Sequence, residues 1–249
     1  MEVDLPRHHT IRDGDQRIVN PFTAEKLAVL GRAIRLRPGG TLLDLASGRG
    51  ELLCTWARDH HISGTGVDLS TVAVEMSRRR ADELGVSDRV TFVHGDAGGY
   101  VADQPVDVAA CIGATWIGDG VNGTIELLER SLRPGGMLLI GEPYWRLDPP
   151  DQETVEACHA QHRDDFDDLA GLVRRFQRQG WDVVEWVLAD PDSWDRYSAP
   201  HWLTVRRWLD ENPDDELAGA FRDELTGDPL RHVLRREFLG WGVFALLKR

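Results

Sequence analysis

Between Leu42 and Glu51 the chain carries the residues best suited to holding a ligand. The apolar run Leu42-Leu43 is broken by the carboxylate of Asp44, and Leu45-Ala46-Ser47 leads into Gly48-Arg49-Gly50. Glycines directly after a strand let the backbone approach a ligand closely, and a helix opening behind them presents unpaired N–H groups. A second carboxylate, Asp68, closes the next apolar segment 18 residues beyond Gly50. An acidic side chain there is placed to hold both hydroxyls of a ribose. Further along, Cys111-Ile112-Gly113-Ala114-Thr115-Trp116 ends a continuous apolar run, and Glu142, Tyr144 and Trp145 follow another. Trp194, Tyr197, His201 and Trp202 cluster later and suit the roof of an apolar or aromatic pocket. Glu142 and His201 are the side chains in these segments able to act as a base. Cys158, His159 and His162 resemble metal ligands in type, but Asp164, Asp165, Asp167 and Asp168 beside them read as a solvated charge run, so no metal is expected.

The elements that must position these groups follow from periodicity. Asn20-Pro21 reads as an N-cap and first helical residue, with Leu27, Leu30 and Ile34 on one face of a helix over 21–36. Everything before it reads as a polar arm, either a disordered terminus or a segment whose Arg7, Arg12 and Arg17 fold over a bound cofactor or meet an anionic acceptor. From 41 to 142 strands and helices alternate: strand 41–46, helix 51–60, strand 62–68, helix from Ser70 to about Leu84, strand 89–94, strand 106–112, helix 122–132 and strand 137–141. Arg133-Pro134-Gly135-Gly136 reads as a stop and turn before the last of these. Such alternation means a parallel sheet with right-handed crossovers. Beyond it come a helix marked by Phe166, Leu169, Leu172 and Phe176, a strand over 181–189, a helical insertion over about 191–236 and a last strand over 238–247. No crossover helix other than the insertion joins the last two strands, so an antiparallel final strand is expected. We therefore expect an arm and lid helix over 1–37 and one α/β domain over 38–249, with a cofactor-binding core at 38–142.

Three kinds of ligand compete for the glycine loop. A nucleotide phosphate calls for Gly-x-x-x-x-Gly-Lys-Ser/Thr, a string absent here. A dinucleotide such as NAD calls for Gly-x-Gly-x-x-Gly, and Leu53 stands where the third glycine belongs. The third, S-adenosylmethionine, has no phosphate to cradle, and its sulfonium and ammonium charges give Asp44 a purpose.

At these residues the sequence resembles the class I S-adenosylmethionine-dependent methyltransferases. The matching strings are Leu43-Asp44-Leu45-Ala46-Ser47-Gly48-Arg49-Gly50, Gly66-Val67-Asp68-Leu69-Ser70, His94-Gly95-Asp96-Ala97 and Leu132-Arg133-Pro134-Gly135-Gly136, in order over roughly 38–142. One departure is that Ala46 replaces the first glycine of the family's Gly-x-Gly-x-Gly. The resemblance implies a doubly wound Rossmann-like sheet of seven strands, mostly parallel, with the last antiparallel. It implies cofactor contacts from Asp44, Ala46, Ser47, Gly48, Gly50, Asp68, Leu69, Asp96, Ala97 and Gly113, and methyl transfer by in-line displacement. Trp116, Tyr144, Trp145, Tyr197 and Trp202 are the expected acceptor contacts. An NAD-dependent oxidoreductase and a non-catalytic S-adenosylmethionine-binding regulator are the alternative readings.

Composition narrows the partners. Asp and Glu number 42 against 29 Lys and Arg, a formal net charge of −13 over 249 residues. Binding to a phosphate backbone rests on basic side chains releasing counterions, so nucleic acid is not expected. The Asn/Asp-Pro-Pro-Tyr/Phe string of base methyltransferases is also missing after the fourth strand. Three scattered cysteines form no C-x-x-C pair and suit reduced thiols. With no basic-then-apolar leader and no apolar run of membrane-spanning length, a cytoplasmic protein is expected, a monomer or homodimer acting on a small molecule.

Overall fold

The structure is a computed structural model that describes residues 4–249. Seven strands form one sheet: β1 (Thr41–Leu45), β2 (Ser63–Asp68), β3 (Val90–His94), β4 (Val106–Ile112), β5 (Leu132–Trp145), β6 (Trp181–Leu188) and β7 (Leu239–Lys248). Their order is β3-β2-β1-β4-β5-β7-β6. The first five run parallel, while β7 pairs antiparallel with both β5 and β6. The order reverses between β1 and β4, and in open α/β sheets that switch point is where ligands sit, outside the carboxyl ends of the strands.

Alternation along the strands builds two cores. Leu42, Ala110 and Leu139 face α2 (Ala24–Ala33), α3 (Glu51–His60) and α4 (Thr71–Glu83), where Leu30, Leu53, Trp56 and Val74 pack. Leu43, Leu45, Cys111 and Ile140 face α5 (Val121–Glu129) and α7 (Leu169–Arg178), with Ile125, Leu128, Leu172 and Phe176. A third, smaller cluster joins α8 (Pro191–Glu211) to α9 (Ala218–Phe238) through Val205, Leu209 and Phe221. A short α6 (Gln152–Ala157), not anticipated from the sequence, packs against α9.

Three expectations need correction. The segment before α2 is not merely an arm: Arg7–Asp13 forms a helix, α1, because Ile11 joins the α8–α9 cluster while Arg7 pairs with Asp215 and lies 5.8 Å over the Trp208 ring. Thr23, not Asn20, caps α2, accepting from the Lys26 amide at 3.2 Å. The Asn20 side chain is occupied elsewhere, donating to the Ile112 carbonyl at 3.1 Å. Finally, β5 neither begins at Met137 nor stops at Gly141. Leu132 already pairs with Val106, Arg133–Gly136 forms an irregularity inside the strand, and pairing with β7 carries it on to Trp145.

Candidate active site

The loop after β1 is braced from within. Ser47 donates to the Val67 carbonyl at 3.0 Å, Gly50 to the Ser47 carbonyl at 3.1 Å, and Gly48 to Asp68 Oδ2 at 2.7 Å. Asp68 Oδ1 also accepts from the Ser70 amide at 2.9 Å, so one carboxylate ties the glycine loop to the turn after β2. Ser70 itself caps α4, accepting from the Ala73 amide at 3.2 Å, as its position in the sequence predicts. With these three amides engaged, the loop is not the open donor array that a phosphate needs. Each Asp68 oxygen keeps a lone pair for a further donor. Burial raises the Asp68 pKa, while the two backbone N–H groups and His94 counter it.

Gly50 lies at φ 70°, and a Cβ there would come within 2.6 Å of the Phe92 ring, so close packing of α3 on the sheet requires glycine. Ala46 holds φ 56° where the family pattern has glycine. A left-handed residue with a Cβ is strained by roughly 1–2 kcal/mol. Ala46→Gly is therefore expected to raise stability by about 1 kcal/mol, read as a higher urea midpoint at unchanged slope. A lower midpoint would show that the Ala46 methyl contributes packing that outweighs the strain.

Asp44 forms the floor of a cleft walled by Ser47, Gly48, Phe22, Asn20 and Arg17. No donor or cation among the described residues pairs with its carboxyl. Burial, with Asp68 nearby, pushes its pKa up to about 8. Such an isolated buried carboxyl suits a cationic ligand. The cavity inside the cleft is about 80 Å³, against roughly 300–1,000 Å³ for a small-molecule site. The wall that makes it narrow is the segment after α1. Arg49, buried within the glycine loop, donates to the Asp13 carbonyl at 3.4 Å and to the Gln16 carbonyl, and Asn20 packs so closely on Gly113 that a Cβ there would lie 2.3 Å from its Oδ1. Sequence reasoning pointed to Arg17 as part of the arm but missed Asn20, Phe22 and the role of Arg49. Only an arginine between two loop glycines hinted at the last.

The other expected cofactor residues lie around the same sheet edge. Leu69 accepts from His94 Nε2 at 2.9 Å, Asp96 is exposed and caps the turn at Ala97–Gly99, and Ala97 is buried beneath that turn. Gly113, at φ 81°, lies between Ile112 of the cleft and Thr115.

The expected acceptor and catalytic residues divide. Glu142 shares its strand face with Ile140 and Tyr144, the α5/α7 side, and accepts from Thr115 Oγ1 at 2.8 Å. Burial raises its pKa to about 7 despite that bond. It therefore points away from the Asp44 cleft. Tyr144 packs over Gly240, where a Cβ would sit 2.3 Å from the ring, and edge-on to Phe244, so it is core. Trp145 donates Nε1 to the Arg163 carbonyl at 2.6 Å and stacks edge-on to Phe166, which removes it from the cleft. All three sit on β5 rather than beyond it because β7, with glycines at 240 and 242, lets pairing continue. Trp116 stands in solvent at 73% exposure. Tyr197, His201 and Trp202, by contrast, share the middle of α8. Tyr197 and His201 rings lie 5.0 Å apart, His201 Nε2 is 3.6 Å from Asp13 Oδ1, and Trp202 donates to Asp228 at 2.8 Å. Gln16 links this stretch to the cleft, its side-chain amide donating to the Tyr197 carbonyl at 3.1 Å while its backbone carbonyl accepts from Arg49.

Among the described residues no group of His, Cys, Asp and Glu is arranged to hold a metal ion, and no helix is long and apolar enough to cross a membrane.

Comparison with known proteins points the same way as the cleft. Residues 42–136 match the protein family described as "Methyltransferase domain". The whole chain superposes on a SAM-dependent methyltransferase from Geobacter sulfurreducens crystallised with S-adenosyl-L-homocysteine, at 60% identity, TM-score 0.98 and full coverage of both chains. A SAM-dependent methyltransferase from Thiobacillus denitrificans, in complex with the same molecule, matches at 57% identity and TM-score 0.98 over 99% of this chain and 100% of that one. The uncharacterised protein YjhP of Escherichia coli K12 is 56% identical over 99% of this chain and all of its own length.

Proposed function

The chain belongs to the class I S-adenosylmethionine-dependent methyltransferases, and on that premise we propose that it methylates a small-molecule acceptor. The observation that carries the cofactor reading is the unpaired, buried Asp44 beneath a glycine loop whose amides are engaged internally. It fits a cationic, phosphate-free ligand. A dinucleotide fits poorly, because Leu53 is fully buried with its Cδ2 in contact range of Gly64, where a third glycine would be needed to bring helix and strand together.

S-adenosyl-L-methionine, when bound, supplies an electrophilic methyl group on a positively charged sulfur leaving group. Asp44 faces its cationic end, and Asp68 is placed for the ribose hydroxyls. Ala46, Ser47, Gly48 and Gly50 shape the backbone beside the methionine portion, and Leu69, Asp96, Ala97 and Gly113 line the remaining edge. Ser47 Oγ is buried without a hydrogen-bond partner and is available to the same ligand. Arg17, Ile18, Asn20 and Phe22 wall the cleft, and a ligand that filled it would be shielded from water on that side, which favours displacement at a charged centre.

Tyr197, His201 and Trp202 flank the acceptor. Burial holds the His201 pKa down to about 4, so its imidazole is unprotonated at neutral pH but a weak base, one that a charged or hydrogen-bonding acceptor would have to strengthen before it takes a proton. His201→Asn is expected to slow methyl transfer while S-adenosyl-L-homocysteine binds as before; loss of that binding instead would refute the assignment. His201 is buried where α1 and α9 pack on α8, which supports a small acceptor, and the net charge of −13 disfavours a nucleic acid.

Calorimetric titration with S-adenosyl-L-methionine, S-adenosyl-L-homocysteine and NAD tests the reading. Saturable binding of the first two is expected, and binding of NAD alone overturns it. Labelled-methyl transfer to small molecules, and not to protein or nucleic acid, tests the acceptor class.

A further inference from the structure

The middle of α8, which carries Tyr197 and His201, packs on α1 and α9, and α9 packs in turn on α6; the polar groups where these helices meet have an uneven set of partners. Its acids are largely engaged or weakened. Asp228 accepts from Arg235 Nη2 and from Trp202 Nε1, both at 2.8 Å, and Arg235 also donates to the Ala157 carbonyl at 3.0 Å. Glu224 has no hydrogen-bond or ion-pair partner among the described residues; burial shifts its pKa upward, with Arg12 opposing the shift.

The cation Arg12 is different. Asp13 Oδ1 lies 3.4 Å from Arg12 Nε and 3.6 Å from His201 Nε2, so the guanidinium stands beside the His201 ring; its charge also acts on His159, Tyr197 and Glu224, from two further parts of the chain and from α8 itself. Its hydrogen bond to protein is a long one, Nε to Asp13 Oδ1 at 3.4 Å. No carboxylate among the described residues meets its two terminal nitrogens. Two buried polar atoms here have no hydrogen-bond partner among the described residues: His201 Nε2, on the other side of Asp13 from Arg12, and Gln16 Oε1, whose amide nitrogen donates to the Tyr197 carbonyl. The His201 side chain is only 8% exposed. Buried polar atoms in native proteins almost always find a partner, so neighbouring exceptions mark where a polar ligand binds. A guanidinium with free terminal nitrogens presents the fork geometry that matches an oxyanion.

We propose that this region is the acceptor subsite and that the acceptor carries an oxyanionic group, a carboxylate or a phosphate, held by Arg12 beside Tyr197 and His201. The inference rests on the methyltransferase reading and deepens it by naming the acceptor's charge. Asp13 sits 3.6 Å from His201 Nε2 and bonds Arg12. It meets the guanidinium through Nε alone and leaves its outer edge, with the two terminal nitrogens, for the ligand.

The test is calorimetry on protein saturated with S-adenosyl-L-homocysteine, titrated separately with benzoate, inorganic phosphate and benzylamine. At least one of the two anions is expected to bind saturably at millimolar concentration, and which one binds distinguishes a carboxylate from a phosphate. Benzylamine is expected not to bind. Arg12→Gln should weaken the anion at least tenfold. Arg206→Gln, which removes the same charge from an exposed ion pair with Asp210 on α8, should leave it unchanged. Arg12→Lys keeps the charge without the fork and should fall between wild type and Arg12→Gln, which keeps the test informative if the glutamine variant misfolds. Preference for benzylamine, failure of both anions, or an equal loss in Arg206→Gln overturns the proposal. If S-adenosyl-L-homocysteine still binds in those cases, the methyltransferase reading survives; if wild-type protein never takes it up, that reading falls first.

Discussion

Replacing Asp68 with alanine is expected to weaken S-adenosyl-L-methionine binding by about a hundredfold. The carboxylate has two structural bonds, from Gly48 and Ser70, and two lone pairs left for ribose hydroxyls. Hydrogen bonds to a charged group are worth roughly 1.5–3 kcal/mol each, and 1.4 kcal/mol is tenfold in affinity. Losing two such bonds, partly replaced by water, gives about a hundredfold. The variant also frees the Gly48 amide, which turns the glycine loop toward the open donor array of a phosphate site. Asp68→Asn separates the two effects. Its carbonyl oxygen can keep one of the two loop amides while its NH2 group cannot accept a hydroxyl donor, so affinity should fall less than in the alanine variant. Titration calorimetry on both variants checks this. Affinity within threefold of wild type in Asp68→Ala would mean that the ribose is held elsewhere.

Legibility of this site in the sequence followed the range of the interactions that build it. The strand at 106–112 and the helix at 51–60 were readable to the residue, because a continuous apolar run and a 3.6-residue stripe are local signals. Asp44, Asp68 and the Ser70 cap were readable for the same reason: each acts on neighbours within a few residues or across one strand. Tyr144 and Trp145 were not. Their burial depends on β7, which joins β5 from about a hundred residues away and presents Gly240 beneath the Tyr144 ring. Asn20 shows the limit at short range. Its type and its following proline suggest a helix cap, but the Ile112 carbonyl, distant in sequence, competes for the side chain and leaves capping to Thr23. Helix α9 runs through Pro229 to Phe238, and one of its anchors is the contact of Asp228 with Trp202 on α8, again a non-local term. Arg12 was legible only as one of three arm arginines able to meet an anion; what sets it apart from Arg7 and Arg17 is its neighbours on α8, α9 and the turn after α6, which only the tertiary fold supplies.

Asp44 gives the second large effect, and its sign differs between stability and binding. In the free protein its pKa stands near 8, raised from 3.8 by burial and then by Asp68. The folded state therefore holds a proton that the unfolded state has released at any pH between those values. Stability contributed at this position is lost as pH climbs from about 4 to about 8. Asp44→Asn should remove that slope and make the free protein more stable at pH 8, by on the order of 2 kcal/mol. Binding runs the other way. A cationic ligand favours the ionised carboxylate, so S-adenosyl-L-methionine must expel the proton, and its affinity should rise with pH by up to tenfold per unit before levelling near pH 8. Above that the cofactor's own α-amino group discharges, with an ordinary pKa of roughly 7.7–8.0, and affinity turns down. Asp68, whose pKa is also raised, adds a smaller contribution to the acid side. Asp44→Asn should flatten the rise and lower affinity about a hundredfold at pH 8, because a neutral amide cannot balance the ligand's charge in a buried cleft. Calorimetry in buffers of different ionisation enthalpy reads the released proton directly. Equal proton release in wild type and Asp44→Asn would place the titrating group elsewhere. A stabilised variant that binds poorly is the outcome expected of a carboxylate kept in the core for its ligand rather than for the fold.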